Sequence, residues 1–219
     1  MKNNKISECL TFLYKHYIAL IFSILVGIFI FTSCFTDQAY LGLSIESKSP
    51  VNFSLYDQHG DLKSLDDFSG KIILMTFLYS TCSDICPDMT NLLLQIDAKN
   101  TLGNDVVFLI ISVDSEIDNQ VTVNRYLDSI SKADSWVYLM GNQEELVEIL
   151  DYYYVSNFKR SGSEVSKNKE MVHSSPLYLL DREGNTQILY TMPFDAMHVL
   201  HDVEPVSYTH LTLPTICSV

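Results

Sequence analysis

Two cysteines and a histidine are the residues of this chain whose types and spacing could do chemistry. Cys82-Ser83-Asp84-Ile85-Cys86-Pro87 is a C-x-x-x-C-P arrangement. A proline in this position suits the first turn of a helix, where its missing N–H is not needed. A cysteine at such a helix start meets partial positive charge, which favours its thiolate form. The spacing allows the two sulfurs to close a disulfide or to face one metal ion. Two thiolates suit a soft ion such as Cu(I), and a third ligand would complete a trigonal site. His173 is the candidate third ligand. Imidazole also accepts Cu(II), so a set of two cysteines and one histidine suits both oxidation states. Two plainer uses stay open on the residues alone. A cysteine pair after a strand is commonly a redox dithiol, and a single histidine is commonly a surface or core residue. His16, His59, His198 and His201 have no comparable placement and are read as structural.

The elements around these residues must bring them together. Lys71 to Tyr79 is a near-continuous apolar run, the pattern of a strand buried on both faces in a parallel sheet. It stops at Ser80-Thr81-Cys82. A helix is predicted from Pro87 to about Asn100, with Leu92, Leu93 and Ile96 as its apolar stripe. Asp105 to Val113 is a second buried strand. Asn119 to Ile130 and Gln143 to Leu150 read as helices, with a short strand from Trp136 to Met140 between them. Before the first long strand, Asn52 to Tyr56 and a strand through Leu65 form a hairpin about the turn Asp57 to Asp61. After the last of these helices, Lys159 to Glu170 is charged, holds Gly and Ser, and lacks apolar period, so it reads as a mobile loop leading to His173. Ser175 to Leu180 and Thr186 to Tyr190 form a hairpin about Asp181 to Gly184, and Asp195 to Val203 begins a final helix. A hairpin, a βαβ unit, a second hairpin and a helix make an α/β domain of thioredoxin type. Sites in parallel sheets lie at the carboxyl ends of strands, which is where Cys82 and Cys86 fall.

Composition bounds the remaining choices. The chain has 219 residues, 47% hydrophobic and 19% charged, enough for one globular domain after an N-terminal segment is set aside. A net charge of −13 argues against nucleic acid, which needs a basic surface. Five cysteines, at 9, 34, 82, 86 and 217, do not form a disulfide-dense framework. Tyr17 to Phe35 carries no charge, while Lys2, Lys5 and Lys15 precede it. That asymmetry places the N-terminus in the cytoplasm and the rest outside. Residues 1–35 are therefore expected to be a membrane anchor: either a transmembrane helix or a lipoprotein signal ending at Phe31-Thr32-Ser33-Cys34, with Cys34 lipidated. Residues 36–50 read as a polar linker and 51–204 as the folded domain. Pro205 to Val219 resembles translated sequencing-adapter read-through. It is expected to interrupt the last helix and is set aside as non-native, with Cys217 and His210 given no role.

Four segments in order carry a resemblance to a known family. Thr76 to Pro87 resembles the cysteine segment of the SCO/SenC family of copper-binding assembly proteins for cytochrome c oxidase. Ser112 to Asp118 is similar to that family's SVDPxxD stretch, with Ser115 where Pro is usual. Trp136 to Gly141 is similar to its W-x-x-L-x-G segment. Val172-His173-Ser174, followed by Tyr178 to Asp181 and Gly184, is similar to its histidine strand, with Val172 where an Asp often stands. The resemblance implies copper binding by Cys82, Cys86 and His173. It further implies delivery to the CuA-bearing subunit of a heme-copper oxidase, with a copper donor protein upstream. Asp114 and Asp118 match family acids near the site; carboxylates suit Cu(I) poorly and are not expected to be ligands. The alternative activity is thiol–disulfide exchange through Cys82 and Cys86. Peroxide reduction fits less well, because Pro87 follows the second cysteine.

Overall fold

The protein is described here by a computed structural model covering residues 14–24, 40–155, 157–159, 171–173 and 175–208. The chain divides into two compact units, one holding a helix over residues 14–24 (α1) and the other Tyr40–Thr212. Tyr17, Ile18, Leu20 and Phe22 of α1 are exposed. Among the described residues no helix is long and apolar enough to cross a membrane. The rest of the expected anchor, including Cys34, lies outside the described residues.

The larger unit is built on a six-stranded mixed sheet. Its strands are β1 (Leu43–Lys48), β4 (Ile72–Leu78), β5 (Val106–Ser112), β6 (Val137–Leu139), β9 (Leu177–Leu180) and β10 (Thr186–Tyr190). Their order is β1-β10-β9-β4-β5-β6. β4, β5 and β6 run parallel, from Ile72 opposite Val106 to Leu78 opposite Ser112. β9 pairs antiparallel with β4, and β10 and β1 continue that half. Every residue of β4 is buried, as its unbroken apolar run requires of a central strand. Helices α2 (Cys86–Lys99), α3 (Gln120–Ser129) and α4 (Gln143–Tyr152) follow β4, β5 and β6 in turn. α3 and α4 start at Asn119 and Asn142, whose side chains accept from the next backbone N–H groups and complete capping boxes. Phe108 stacks on Trp136 at 5.3 Å between ring centres, within the hydrophobic core around the sheet.

A small hairpin, β2 (Leu55–Tyr56) with β3 (Leu62–Lys63), covers the β6 edge. Its turn is set by Asp57, whose Oδ1 accepts from His59 N and Asp61 N, both at 2.9 Å. The buried Gln58 side chain then acts as a piece of strand. Its amide donates to Trp136 O at 2.8 Å and its oxygen accepts from Tyr138 N at 3.0 Å. The β9–β10 turn repeats the device with Asp181, which accepts from Glu183 N and Asn185 N at 2.9 Å.

Two features differ from the sequence reading. Residues 43–48 lie within the span read as linker, yet they form the edge strand β1. Pairing with β10 is a long-range event that no local pattern announces. It needs Gly42, because a Cβ there would collide with Ile188 and Tyr190. The final helix α5 (Ala196–Tyr208) runs through Pro205 instead of stopping before it. A proline inside a helix costs about 3 kcal/mol. Burial of Val199, Val203 and Val206 along α5, which packs on α2 and β4, offsets that cost.

Candidate functional site

The sheet places the two cysteines at one end. β4 stops at Leu78, and the turn that follows closes with Cys82 N donating to Tyr79 O at 3.2 Å. α2 begins at Cys86 with Pro87 in its first turn. Thr90 Oγ1 donates back to Cys86 O at 2.7 Å and shares a second 2.7 Å hydrogen bond with Tyr126 Oη. The helix start is thereby held. Cys82 and Cys86 are joined as a disulfide with their Cα atoms 5.8 Å apart, inside the usual range for such a bridge. Cys86 is buried, and Cys82 is only partly so. Cys82 is therefore the sulfur that an incoming reagent meets first.

His173 is described by its backbone alone. His173 ends β8 (Met171–His173), opposite Asn157 of β7 (Asn157–Lys159). Its side chain lies outside what the structure describes, as do residues 160–170 of the loop read as mobile. The chain after it is tied to the same end of β4. Leu177 of β9 pairs with Thr76. Thr76 Oγ1 donates to Pro176 O at 2.9 Å, and Ser175 Oγ donates to Phe77 O at 3.3 Å. The segment that enters β9 thus runs beside the exit of β4, fastened there at Ser175, two residues after His173. Among the described residues, no group of three or more His, Cys, Asp or Glu side chains is gathered to hold a metal ion.

Beneath the cysteine loop lies a buried polar cluster. Asp118 Oδ1 accepts from Ser80 N at 2.9 Å. Its Oδ2 accepts from Ser112 Oγ at 2.6 Å and from Tyr138 Oη at 2.8 Å. Asp114 turns the intervening loop, accepting from Glu116 N at 2.9 Å through its side chain and from Asp118 N at 3.0 Å through its carbonyl. Burial, with the neighbouring Asp118 charge and hydrogen bond adding to it, pushes the Tyr138 hydroxyl well above its ordinary pKa. The sequence reading set Asp114 and Asp118 near the site but did not see Ser112 or Tyr138. The signal was available in Ser112-to-Asp118 and in Trp136-to-Gly141, the two segments that supply these groups.

Fold and sulfur pair together define a thioredoxin-like α/β domain with a disulfide-forming dithiol at the mouth of a parallel strand. The chain belongs to the SCO1/SenC family, whose model matches residues 45–207. The SCO2-like protein of Rickettsia felis is 28% identical over 134 residues, covering 61% of this chain and 64% of that protein. The chain thus spans just under two thirds of that relative's length. The structure of Arabidopsis thaliana ScoI with copper bound matches with a TM-score of 0.63 at 26% identity, over 73% of this chain and 96% of that one. BsSco, a member of the Sco family of cytochrome c oxidase assembly proteins, shares the fold with a TM-score of 0.58 at 24% identity, over 78% of this chain and 98% of that one.

Proposed function

We propose that this protein is an extracytoplasmic copper chaperone. In this reading Cys82, Cys86 and His173 hold copper as cargo for the CuA site of a heme-copper oxidase. The observation that carries the reading is the convergence at the end of β4. Two sulfurs close enough to bond sit there, and the chain two residues after His173 is fastened to Phe77 of the same strand. The residues suit the ion: two thiolates and an imidazole form a soft set that accepts Cu(I) and tolerates Cu(II). A disulfide offers no thiolate, so loading follows reduction of the pair to two thiols by two electrons and two protons. The copper-bound state of Arabidopsis ScoI and BsSco's membership of a family of cytochrome c oxidase assembly proteins support the same reading. The partners proposed are a copper donor and the oxidase subunit that carries CuA. The uncharged Tyr17-to-Phe35 segment would tether the domain, by a transmembrane helix or through lipidated Cys34.

The test is an anaerobic copper titration of the reduced full-length chain against its His173→Ala variant. Near one copper per chain, with a loss of affinity of about 10-fold or more in the variant, is expected from removal of one of three ligands. Stoichiometry near zero for the wild type would end the reading. The closed disulfide and the half-open Cys82 favour a second activity, thiol–disulfide exchange with an exported partner. There Cys82 attacks, Cys86 resolves, and His173 is dispensable. A Cys86→Ser variant expressed in cells would then accumulate mixed disulfides through Cys82; their absence counts against exchange.

A further inference from the structure

The turn that carries Cys82 has an anchor outside its own sequence. Its backbone enters from Leu78, whose carbonyl accepts from Val113 N at 3.0 Å and from Tyr138 Oη at 3.2 Å. Two residues later, Ser80 N donates to Asp118 Oδ1. Asp118 is only 7% exposed and is itself held by Ser112, the last residue of β5, and by the fully buried Tyr138 of β6. Its own backbone N–H is fixed on Asp114 O. One carboxylate therefore joins the ends of all three parallel strands and passes that rigidity to the turn before Cys82. Its partners in the structure are neutral donors, a backbone amide and two hydroxyls. A buried carboxylate so arranged is costly to keep unless it is well hydrogen-bonded.

We infer that Asp118 is a positioning residue for the sulfur pair: by holding Ser80 it keeps Cys82 within bonding distance of Cys86. The inference rests on Cys82 and Cys86 as the working sulfurs, and not on copper. The affected equilibrium is the disulfide taking up two electrons and two protons from a dithiol such as dithiothreitol, which closes its own disulfide in exchange. Without the Asp118 anchor the reduced turn wanders, the two thiols meet less often, and the protein disulfide forms less readily. The effect reads as a lower effective concentration of one thiol for the other.

The experiment measures the thiol–disulfide equilibrium constant of the full-length chain in dithiothreitol redox buffers, beside its melting temperature. Asp118→Ala is expected to shift the equilibrium about 10-fold toward the dithiol, which is about 30 mV in potential for a two-electron couple. Asp118→Asn keeps a carbonyl oxygen for Ser80 N and is expected to rescue most of that shift. An alanine variant with a lowered melting temperature and an unshifted equilibrium would reduce Asp118 to a structural role and overturn the inference. An asparagine variant as shifted as alanine would overturn it as well. If the alanine variant does not fold, amide exchange at wild-type Ser80 takes its place. Slow exchange in both oxidised and reduced protein supports the anchor; exchange at the open-chain rate in either removes it. A wild type that binds no copper while Asp118→Ala still shifts the equilibrium would sink the chaperone reading alone.

Discussion

Asp118 and Asp202 are built alike and placed differently. Both are buried carboxylates whose oxygens collect several donors. Asp118 accepts from Ser80 N, Ser112 Oγ and Tyr138 Oη at the mouth of the parallel strands. Asp202, on α5, accepts from Leu41 N at 2.9 Å, Gly42 N at 2.8 Å and Tyr190 Oη at 2.7 Å, with His201 Nδ1 at 2.8 Å. The first holds the turn before a reactive cysteine. The second fastens the segment leading into β1, far along the chain from Cys82 and Cys86. The same device thus serves chemistry in one region and architecture in the other. The neighbours of the carboxylate decide which role it has, and the carboxylate itself does not.

The largest expected effect separates the two directly. Asp202→Ala leaves two backbone amides and the Tyr190 hydroxyl without their acceptor, at about 1–3 kcal/mol for each buried group that stays unpaired. A loss of about 3 kcal/mol or more in urea unfolding is expected, with the thiol–disulfide equilibrium of Cys82 and Cys86 unmoved. A shift in that equilibrium would break the distinction drawn between the two carboxylates. Next comes the disulfide. Its short loop predicts about 2 kcal/mol of stabilisation from restriction of the unfolded chain. Urea midpoints of oxidised and reduced protein measure it, and equal midpoints would show that the pair is tuned for chemistry alone.

A paired substitution sharpens the comparison further. Tyr138→Phe and Tyr190→Phe each remove one hydroxyl donor, from Asp118 and Asp202 respectively. Each is expected to cost about 1 kcal/mol. Tyr190→Phe should leave the sulfur equilibrium near wild type, whereas Tyr138→Phe, which loosens Asp118 and Leu78 O, should shift it by less than Asp118→Ala does. Raised Tyr138 and Tyr190 pKa values, caused first by burial, also set an alkaline limit. Neutral tyrosine is the stabilised form. Its contribution is complete below the unfolded pKa of about 10 and is lost as pH rises through the higher folded values. Unfolding monitored above pH ~10 should be steep in the wild type and shallower in either phenylalanine variant.

The smallest effect is on the acid side. Burial alone would raise the Asp202 carboxyl, but hydrogen bonds from His201, Leu41, Gly42 and Tyr190 outweigh it and hold the pKa below its ordinary value. A carboxyl lowered on folding contributes stability above its unfolded pKa of about 3.9 and loses it as pH falls through the folded value. Stability should therefore slope downward below pH ~4, and Asp202→Asn should flatten that slope. An unchanged slope would assign acid sensitivity to other carboxylates.

Much of the site was legible because its signals are local. The apolar run from Ile72 to Leu78 can only be a strand with both faces covered, and Pro87 marks a helix start just beyond it. Those two facts put Cys82 in the loop at a strand's carboxyl end and Cys86 at the helix start that follows it. The turns at Asp57 and Asp181 were equally local, since an aspartate bonding the next amides needs no distant partner.

The sequence by itself determined the central strands, the helices between them and the loop in which the two cysteines meet, because hydrophobic period and turn chemistry act over a few residues. Only the tertiary structure decided that residues 43–48 are an edge strand, that α5 continues past Pro205, and that Asp118 and Asp202 are buried anchors. Each of these depends on groups far apart in the chain: β10 for the edge strand, α2 and β4 for the helix, Ser80 and Leu41 for the carboxylates. A lone aspartate looks the same in sequence whether it is solvated or enclosed. Its energy depends on the donors that folding brings to it.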